Sequence, residues 1–388
     1  MNLPNSLLEK LEVRQQNNAL RTLPVYQDRI DFSSNDYLGF AQSEAIFDAT
    51  HTFLVENGFK LNGATGSRLI SGNHALYEKA EHCIAQFHQA ESALLFNSGY
   101  DANVGFFSCV PQRNDVILYD ELCHASIRDG IQLGHAKSYK FQHNDVEDLE
   151  RLLLKFTDQH PTPLTSHPSS LYIVIESVYS MDGDSPPLEE LTHLCEQYGC
   201  YLVVDEAHAL GVFGEKGEGL VQSLGLQDKV FARIMTFGKG LGCHGAVILG
   251  SGLLQSYLVN FARSFIYTTG LSPHAVATIL IAYQYLEQST QAMELLKANI
   301  IQFNQCKQLL GLKPLFVYSK SAIQCAIVSG NEKVKTIAQQ LQAKGFEVKP
   351  ILSPTVPEGQ ERLRFCLHAY NTPEQIAVVL ESLMQLIL

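Results

Sequence analysis

The stretch Cys200-Tyr-Leu-Val-Val-Asp-Glu-Ala-His-Ala-Leu-Gly211 (CYLVVDEAHALG) decides the fold. Its apolar run reads as a short strand buried on both faces, and the strand stops at a carboxylate, Asp205. Immediately upstream, LEELTHLCEQYG (Leu188–Gly199) has the spacing of an amphipathic helix. Further along comes a second apolar run, FARIMTF (Phe231–Phe237), followed by the glycine-rich GKGLG. A buried strand, a helix and another buried strand in succession are the signature of an α/β sheet, mostly parallel, with helices on both faces.

The same alternation extends outward. SALLF (Ser92–Phe96), DVILYD (Asp115–Asp120), LYIVIES (Leu171–Ser177) and GAVILG (Gly245–Gly250) read as further strands, and HALYEKAEHCIAQFHQ (His74–Gln89) reads as a helix. Residues 1–21 read as a polar amphipathic helix, and the pattern divides the chain into an N-terminal helix and arm (1–44), a large α/β domain (45–285) and a small C-terminal α+β domain (286–388). The small domain is expected from SAIQCAIVSG, a helix near 332–344, FEVKPIL, RLRFCLHAY and a final helix from Pro373.

Composition narrows the function. The chain has 388 residues, 46% hydrophobic and 18% charged, as a water-soluble enzyme of this size would. A net charge of -12 argues against a general nucleic-acid binder, and no apolar run approaches a membrane span. The nine cysteines are scattered, without CxxC pairs or metal-ligand spacing, which suits small buried hydrophobes in a reducing cytoplasm. No GxGxxG follows an early strand, which weighs against a nicotinamide dehydrogenase.

In doubly wound sheets, ligands lie beyond the carboxyl ends of the strands, and here the polar residues cluster at those ends. Asp205 is costly at the end of an apolar strand unless it meets a cation, and a protonated pyridine nitrogen is one. Lys239, set between Gly238 and Gly240, has the clearing of an amine that holds something covalently. Asp and a Schiff-base Lys together are what pyridoxal 5'-phosphate (PLP) requires. In FNSGYDANVG (Phe96–Gly105), a strand–turn–helix junction, Ser98, Gly99 and Tyr100 form a natural phosphate cradle, with Thr236 as an added donor. His124 follows a strand where an imidazole can stack on a ring, and Ser180 is placed to reach the same cofactor. Arg362 and Arg364 in RLRFC are read as facing opposite sides of a strand, one gripping a substrate carboxylate and the other solvated.

Ten motifs in order then carry a resemblance: SSNDYLGF, GSRLISG, NSGYDAN, CHASIRDG, HNDVEDLE, SVYSMDGDSPPL, VVDEAHALGVFGEKGEG, TFGKGLG, IYTTGLSP and PTVPEGQERLRF. Together they resemble the α-oxoamine synthases, fold-type I PLP enzymes, almost end to end. The resemblance implies a mostly parallel, seven-stranded type of sheet. It implies Lys239 as the Schiff-base lysine and then the base, with Asp205 on the pyridine nitrogen. His208 and Ser180 would meet the ring's phenolic oxygen, His124 would stack on the ring, and Gly99, Tyr100 and Thr236 would hold the phosphate. It further implies a homodimer with the site at the interface, with Thr268 and Thr269 reaching the neighbour's phosphate. Asn35 and Arg364 would hold the amino acid's carboxylate, while Arg21 and Thr355 would meet the acyl substrate.

Within that family SSNDYLG, the HND stretch, SPTVPEG and NNALRTLPV are most similar to the branch that condenses L-alanine with pimeloyl-CoA or a pimeloyl-acyl carrier protein. The branches using glycine with acetyl- or succinyl-CoA, or L-serine with palmitoyl-CoA, share the same cofactor residues. A non-catalytic partner subunit would lack Lys239. Two positions depart from the family pattern: Tyr77 stands where a histidine is expected, with consequences for packing or the acyl entrance, and His244 lies close in sequence to Lys239.

Overall fold

The computed structural model describes residues 3–23, 28–157, 170–288 and 290–387. Its centre is a seven-stranded sheet. In spatial order the strands are Ser92–Phe96, Ala246–Gly250, Ala232–Thr236, Tyr201–Asp205, Leu171–Glu176, Val116–Asp120 and Lys137–Phe141. All neighbours are parallel except Ala246–Gly250, which is antiparallel to both of its neighbours.

Side-chain alternation along these strands builds two cores. Tyr172, Val174, Val203, Ala232 and Ile234 face one side and pack with Ala102, Phe106, Ile127 and Leu258 from the helices Gly99–Cys109, Ala125–Leu133 and Gly252–Phe261. Leu171, Ile173, Ile175, Leu202 and Val204 face the other and pack with Leu149, Leu153, Leu191 and Leu194 from the helices Val146–Thr157 and Leu188–Tyr198. Each fully buried aliphatic side chain contributes on the order of 1.5–3 kcal/mol. The register pairs Glu176 with Asp205, and both continue the face of Val174 and Val203 at the carboxyl end of the sheet.

The chain folds as two units, one of residues 35–180 and 185–294, the other of residues 1–34, 181–184 and 295–388. The second unit contains the helix Asn5–Gln16, shorter than the expected 1–21 and closed by Asn18 at φ +50°. It also holds a three-stranded antiparallel sheet in the order Lys349–Ile351, Arg362–Cys366, Ile323–Ile327, and the helices Asn331–Ala343 and Pro373–Ile387. Ile30–Asp31 pairs in parallel with Phe346–Glu347.

The turn 181–184 is fastened within this second unit. The Gly183 carbonyl lies 2.7 and 2.8 Å from the Ser319 and Ser321 hydroxyls, and Arg362 donates to Asp182 and to the Met181 carbonyl. Gly183 has φ +78°, and a Cβ there would sit 2.3 Å from the Ile323 carbonyl oxygen, so no other residue fits.

This arrangement corrects the expectation for the two arginines. Residues two apart on a strand share a face. Arg362 and Arg364 therefore point the same way, and neither is solvated, at 5% and 8% exposure. Arg362 is committed to Asp182, while Arg364 Nη1 lies 2.9 Å from Cys366 Sγ. All nine cysteines are free thiols, four buried and five half-buried. Among the described residues no helix is long and apolar enough to cross a membrane.

Candidate active site

At the carboxyl ends of the strands lies a cavity of about 180 Å³, lined by residues that include Gly99, Tyr100, Asn103, His124, Ser126, Glu176, Asp205, His208, Thr236 and Lys239. The walls are strand ends, the turns that follow them and the first turns of the helices Gly99–Cys109 and Ala125–Leu133. Asp205 closes its strand, Glu176 and Thr236 close the two flanking strands, and His124 caps the helix Ala125–Leu133.

Lys239 sits in the turn that joins the antiparallel pair of strands. That turn is held by Gly242 N–H donating to the Lys239 carbonyl at 2.8 Å and Cys243 N–H donating to the Phe237 carbonyl at 2.8 Å. The glycines give it close approach: a Cβ on Gly240 would come within 2.2 Å of the Leu210 carbonyl oxygen. The Lys239 Nζ lies 2.8 Å from His208 Nε2, and His208 Nδ1 lies 2.6 Å from the Tyr37 hydroxyl, itself 3.1 Å from Asn35 Oδ1. Asn35 is thereby tied to the lysine through two intervening side chains.

Asp205 is almost wholly buried, and both of its oxygens are engaged. Oδ1 accepts from the Ala207 N–H at 2.9 Å and Oδ2 from Asn103 Nδ2 at 2.8 Å. Glu176 accepts the His124 backbone N–H at 2.5 Å. Burial, with Asp205 alongside, pushes the Glu176 carboxyl well above the usual range. Burial also lowers the His124 imidazole below its ordinary value; Lys239 and Arg128 add to this, against Asp205 and Asp129.

The phosphate-cradle residues divide. Gly99 and Tyr100 line the cavity as the first residues of a helix, with no preceding turn to receive their N–H groups. The Ser98 hydroxyl is occupied as the helix cap, taking the Asp101 N–H at 3.0 Å. Thr236 lines the cavity and its hydroxyl donates to the Gly245 carbonyl at 3.3 Å. Ser180 is buried but is not among the lining residues. Thr268 and Thr269 lie apart from the cavity, held by Asn97 Nδ2 at 3.0 Å to Thr268 Oγ1 and 2.7 Å to the Thr269 carbonyl. Within the second unit Arg21 Nη2 lies 3.4 Å from Thr355 Oγ1, so the two residues read as acyl contacts meet each other.

Tyr77 is fully buried, its ring 3.8 Å below the Arg68 guanidinium and its hydroxyl 2.5 Å from the Leu271 N–H, so its departure is one of packing. His244 is exposed and does not line the cavity. Three residues of the site carried no signal of their own in the sequence: Tyr37 lay inside the motif SSNDYLGF, Ser126 is two residues past His124, and Asn103 is one helical turn past Gly99. Glu176, which belongs to one of the polar clusters at the strand ends, faces Asp205 in register.

With this geometry in place, a family model described as aminotransferase class I and II matches residues 27–383. The chain belongs to this family. Among its relatives is the 8-amino-7-oxononanoate synthase of Emericella nidulans, 41% identical, with 98% of this chain and 95% of the relative covered. The structure of 8-amino-7-oxononanoate synthase from Francisella tularensis superposes with a TM-score of 0.76 at 29% identity, covering 92% of this chain and 97% of the other. Serine palmitoyltransferase from S. paucimobilis with bound PLP–myriocin aldimine superposes with a TM-score of 0.86 at 25% identity, covering 98% and 96%. The fold is thus that of fold-type I PLP enzymes, α/β with a mostly parallel central sheet.

Proposed function

We propose that the chain is a PLP-dependent acyltransferase that joins L-alanine to a pimeloyl thioester, releasing CO2 and the thiol carrier and yielding 8-amino-7-oxononanoate, a step of biotin biosynthesis. The chemistry is carried by one observation: the Lys239 amine, the Asp205 carboxylate and the His124 imidazole line a single cavity. The substrates follow from the 41% identity to a relative of that name across nearly the whole chain.

The residues present fit PLP. The cavity offers a reactive amine, an engaged carboxylate, an imidazole and a helix N-terminus, and Gly99 is bare where a Cβ would stand 3.3 Å from the Thr236 Cβ. When bound, PLP supplies an aldehyde that condenses with amines and a protonated ring that takes up the charge of a carbanion. Asp205 would hold the ring nitrogen's proton, and His124 would cover a ring face. The N–H groups of Gly99 and Tyr100 would hold the phosphate at the positive end of their helix.

Lys239 would bind the cofactor covalently, then take the α-proton of L-alanine once the amino acid has displaced it. His208, 2.8 Å from the Lys239 Nζ, stands where it can pass a proton to or from that amine. Asn35 and Arg364 would hold the alanine carboxylate and Arg21 and Thr355 the acyl substrate; His208 and Ser180 would meet the phenolic oxygen. We further infer a homodimer in which Thr268 and Thr269 serve the neighbouring site, and a cytoplasmic location, with which nine free thiols agree.

The test is thiol release by the purified protein with PLP, using L-alanine with pimeloyl-CoA or pimeloyl-acyl carrier protein, glycine with acetyl-CoA or succinyl-CoA, and L-serine with palmitoyl-CoA. Release mainly with alanine and a pimeloyl thioester supports the reading. Release mainly with another pair overturns the substrate assignment and leaves the cofactor assignment standing.

A further inference from the structure

Asn103 projects from the helix Gly99–Cys109 into the wall of the cavity at 2% exposure. Its amide nitrogen donates to Asp205 Oδ2 at 2.8 Å and to Ser126 Oγ at 3.0 Å, using both of its hydrogens. Its carbonyl oxygen, Oδ1, is buried without a partner. That settles the orientation of the amide, because the opposite one would set a carbonyl oxygen against the Asp205 carboxylate. The Ser126 oxygen therefore accepts from Asn103, which leaves the serine's own hydrogen for His124 Nδ1 at 2.7 Å. The Ser126 backbone N–H points to the same Nδ1 at 3.2 Å. A backbone N–H can only donate, so Nδ1 must accept, and a neutral ring then carries its proton on Nε2.

We propose that Asn103 and Ser126 are positioning residues that lock His124 as the neutral Nε2–H tautomer while the same amide steadies Asp205 as a carboxylate. The inference rests on the reading of the cavity as a PLP site. It gives that site opposite charge requirements a shared origin: a carboxylate to hold a protonated pyridine nitrogen, and an uncharged imidazole against the ring so that cation does not face cation. Burial acts first on the imidazole, with Asp205 and Asp129 on the acidic side and Lys239 and Arg128 on the basic side, while Glu176 accepts the His124 backbone N–H. Against these, two donors on Nδ1 oppose protonation there.

The experiment is ¹⁵N NMR of the histidine-labelled holoenzyme, with the His124 resonances assigned through His124→Asn, alongside titration of the cofactor. The wild type is expected to show an unprotonated Nδ1 and a protonated Nε2 at neutral pH. Ser126→Ala, which deletes one donor to the neutral ring, is expected to raise the His124 pKa by about one unit. Asn103→Leu is expected to raise it in the same direction and to weaken PLP binding about tenfold. A proton on Nδ1 in the wild type, or a Ser126→Ala ring that titrates with the wild type, overturns the proposal. Should Asn103→Leu fail to fold, the serine variant decides alone. If the PLP reading itself were wrong, cofactor would fail to bind while the tautomer remained readable on the ring.

Discussion

The Lys239 amine lies 2.8 Å from the His208 ring, and that ring is braced from behind by the Tyr37 hydroxyl at 2.6 Å. An amine aimed by a second side chain inside a cavity is a group set up for covalent and proton-transfer work. A positioned proton-transfer group contributes roughly 10²–10⁴-fold to rate, and the covalent role adds to that. Lys239→Ala is therefore expected to lose more than about a thousandfold in turnover. It should also lose the visible absorption of lysine-bound cofactor while keeping the wild-type urea unfolding midpoint. Retention of full thiol release by this variant would remove Lys239 from the mechanism.

Gly99 faces Thr236 across the proposed phosphate cradle, and an added Cβ would stand 3.3 Å from the Thr236 Cβ and 3.4 Å from its hydroxyl. Such a contact is tight but is relieved by a shift of a few tenths of an ångström, so the chain should still fold. The shift is taken by the residues whose N–H groups and hydroxyl form the cradle. Gly99→Ala is expected to raise the PLP dissociation constant about tenfold, the equivalent of about 1.4 kcal/mol. Equilibrium titration of the apoprotein checks it, and an unchanged constant would place the phosphate elsewhere.

Arg362 and Asp182 form an ion pair with side-chain exposures of 5% and 13%. Removing one partner leaves an uncompensated buried charge, a cost of about 3–5 kcal/mol, whereas replacing both with apolar groups costs far less. Arg362→Met alone is expected to lose about that much stability in urea unfolding, and adding Asp182→Leu should recover a large part of it. Equal stability of the single and double variants would mean that the pair is not coupled.

The legible parts of this molecule were those whose signal is local. Six of the seven central strands announce themselves as apolar runs, because burial on both faces demands it. The seventh, Lys137–Phe141, is an edge strand with Lys137, Ser138 and Lys140 exposed, so it carries no such run. Asp205, His124, His208 and Lys239 were legible because each is a reactive group at a strand end or in the turn just past one. Asn103 was not, because its meaning lies in a contact with Asp205 about a hundred residues away that only the packing of helix on sheet creates. The arginine pair failed for a different reason: two-residue spacing puts Arg362 and Arg364 on one face, and the partner that buries Arg362 comes from the turn 181–184.

His88 is fully buried, its Nε2 2.9 Å from the Tyr283 hydroxyl and its carbonyl accepting from Arg233. Burial first, then the Arg233 charge, holds its imidazole well below the usual value of 6.5. In the unfolded chain the same ring takes up a proton near pH 6.5, so below that pH the unfolded state binds more protons than the native one. Stability contributed by neutral His88 is thus fully present above about pH 6.5 and is lost as the pH falls, by about 1.4 kcal/mol per pH unit. His88→Gln keeps a polar group near Tyr283 but does not titrate. The variant is expected to start less stable at pH 7 and to lose about 1 kcal/mol less than the wild type between pH 6.5 and pH 5.5. Urea unfolding of both proteins at the two pH values measures the difference directly, and other titrating groups cancel in the comparison. Parallel losses in the two proteins would mean that the buried ring is protonated in the native state, in contradiction to its burial beside Arg233.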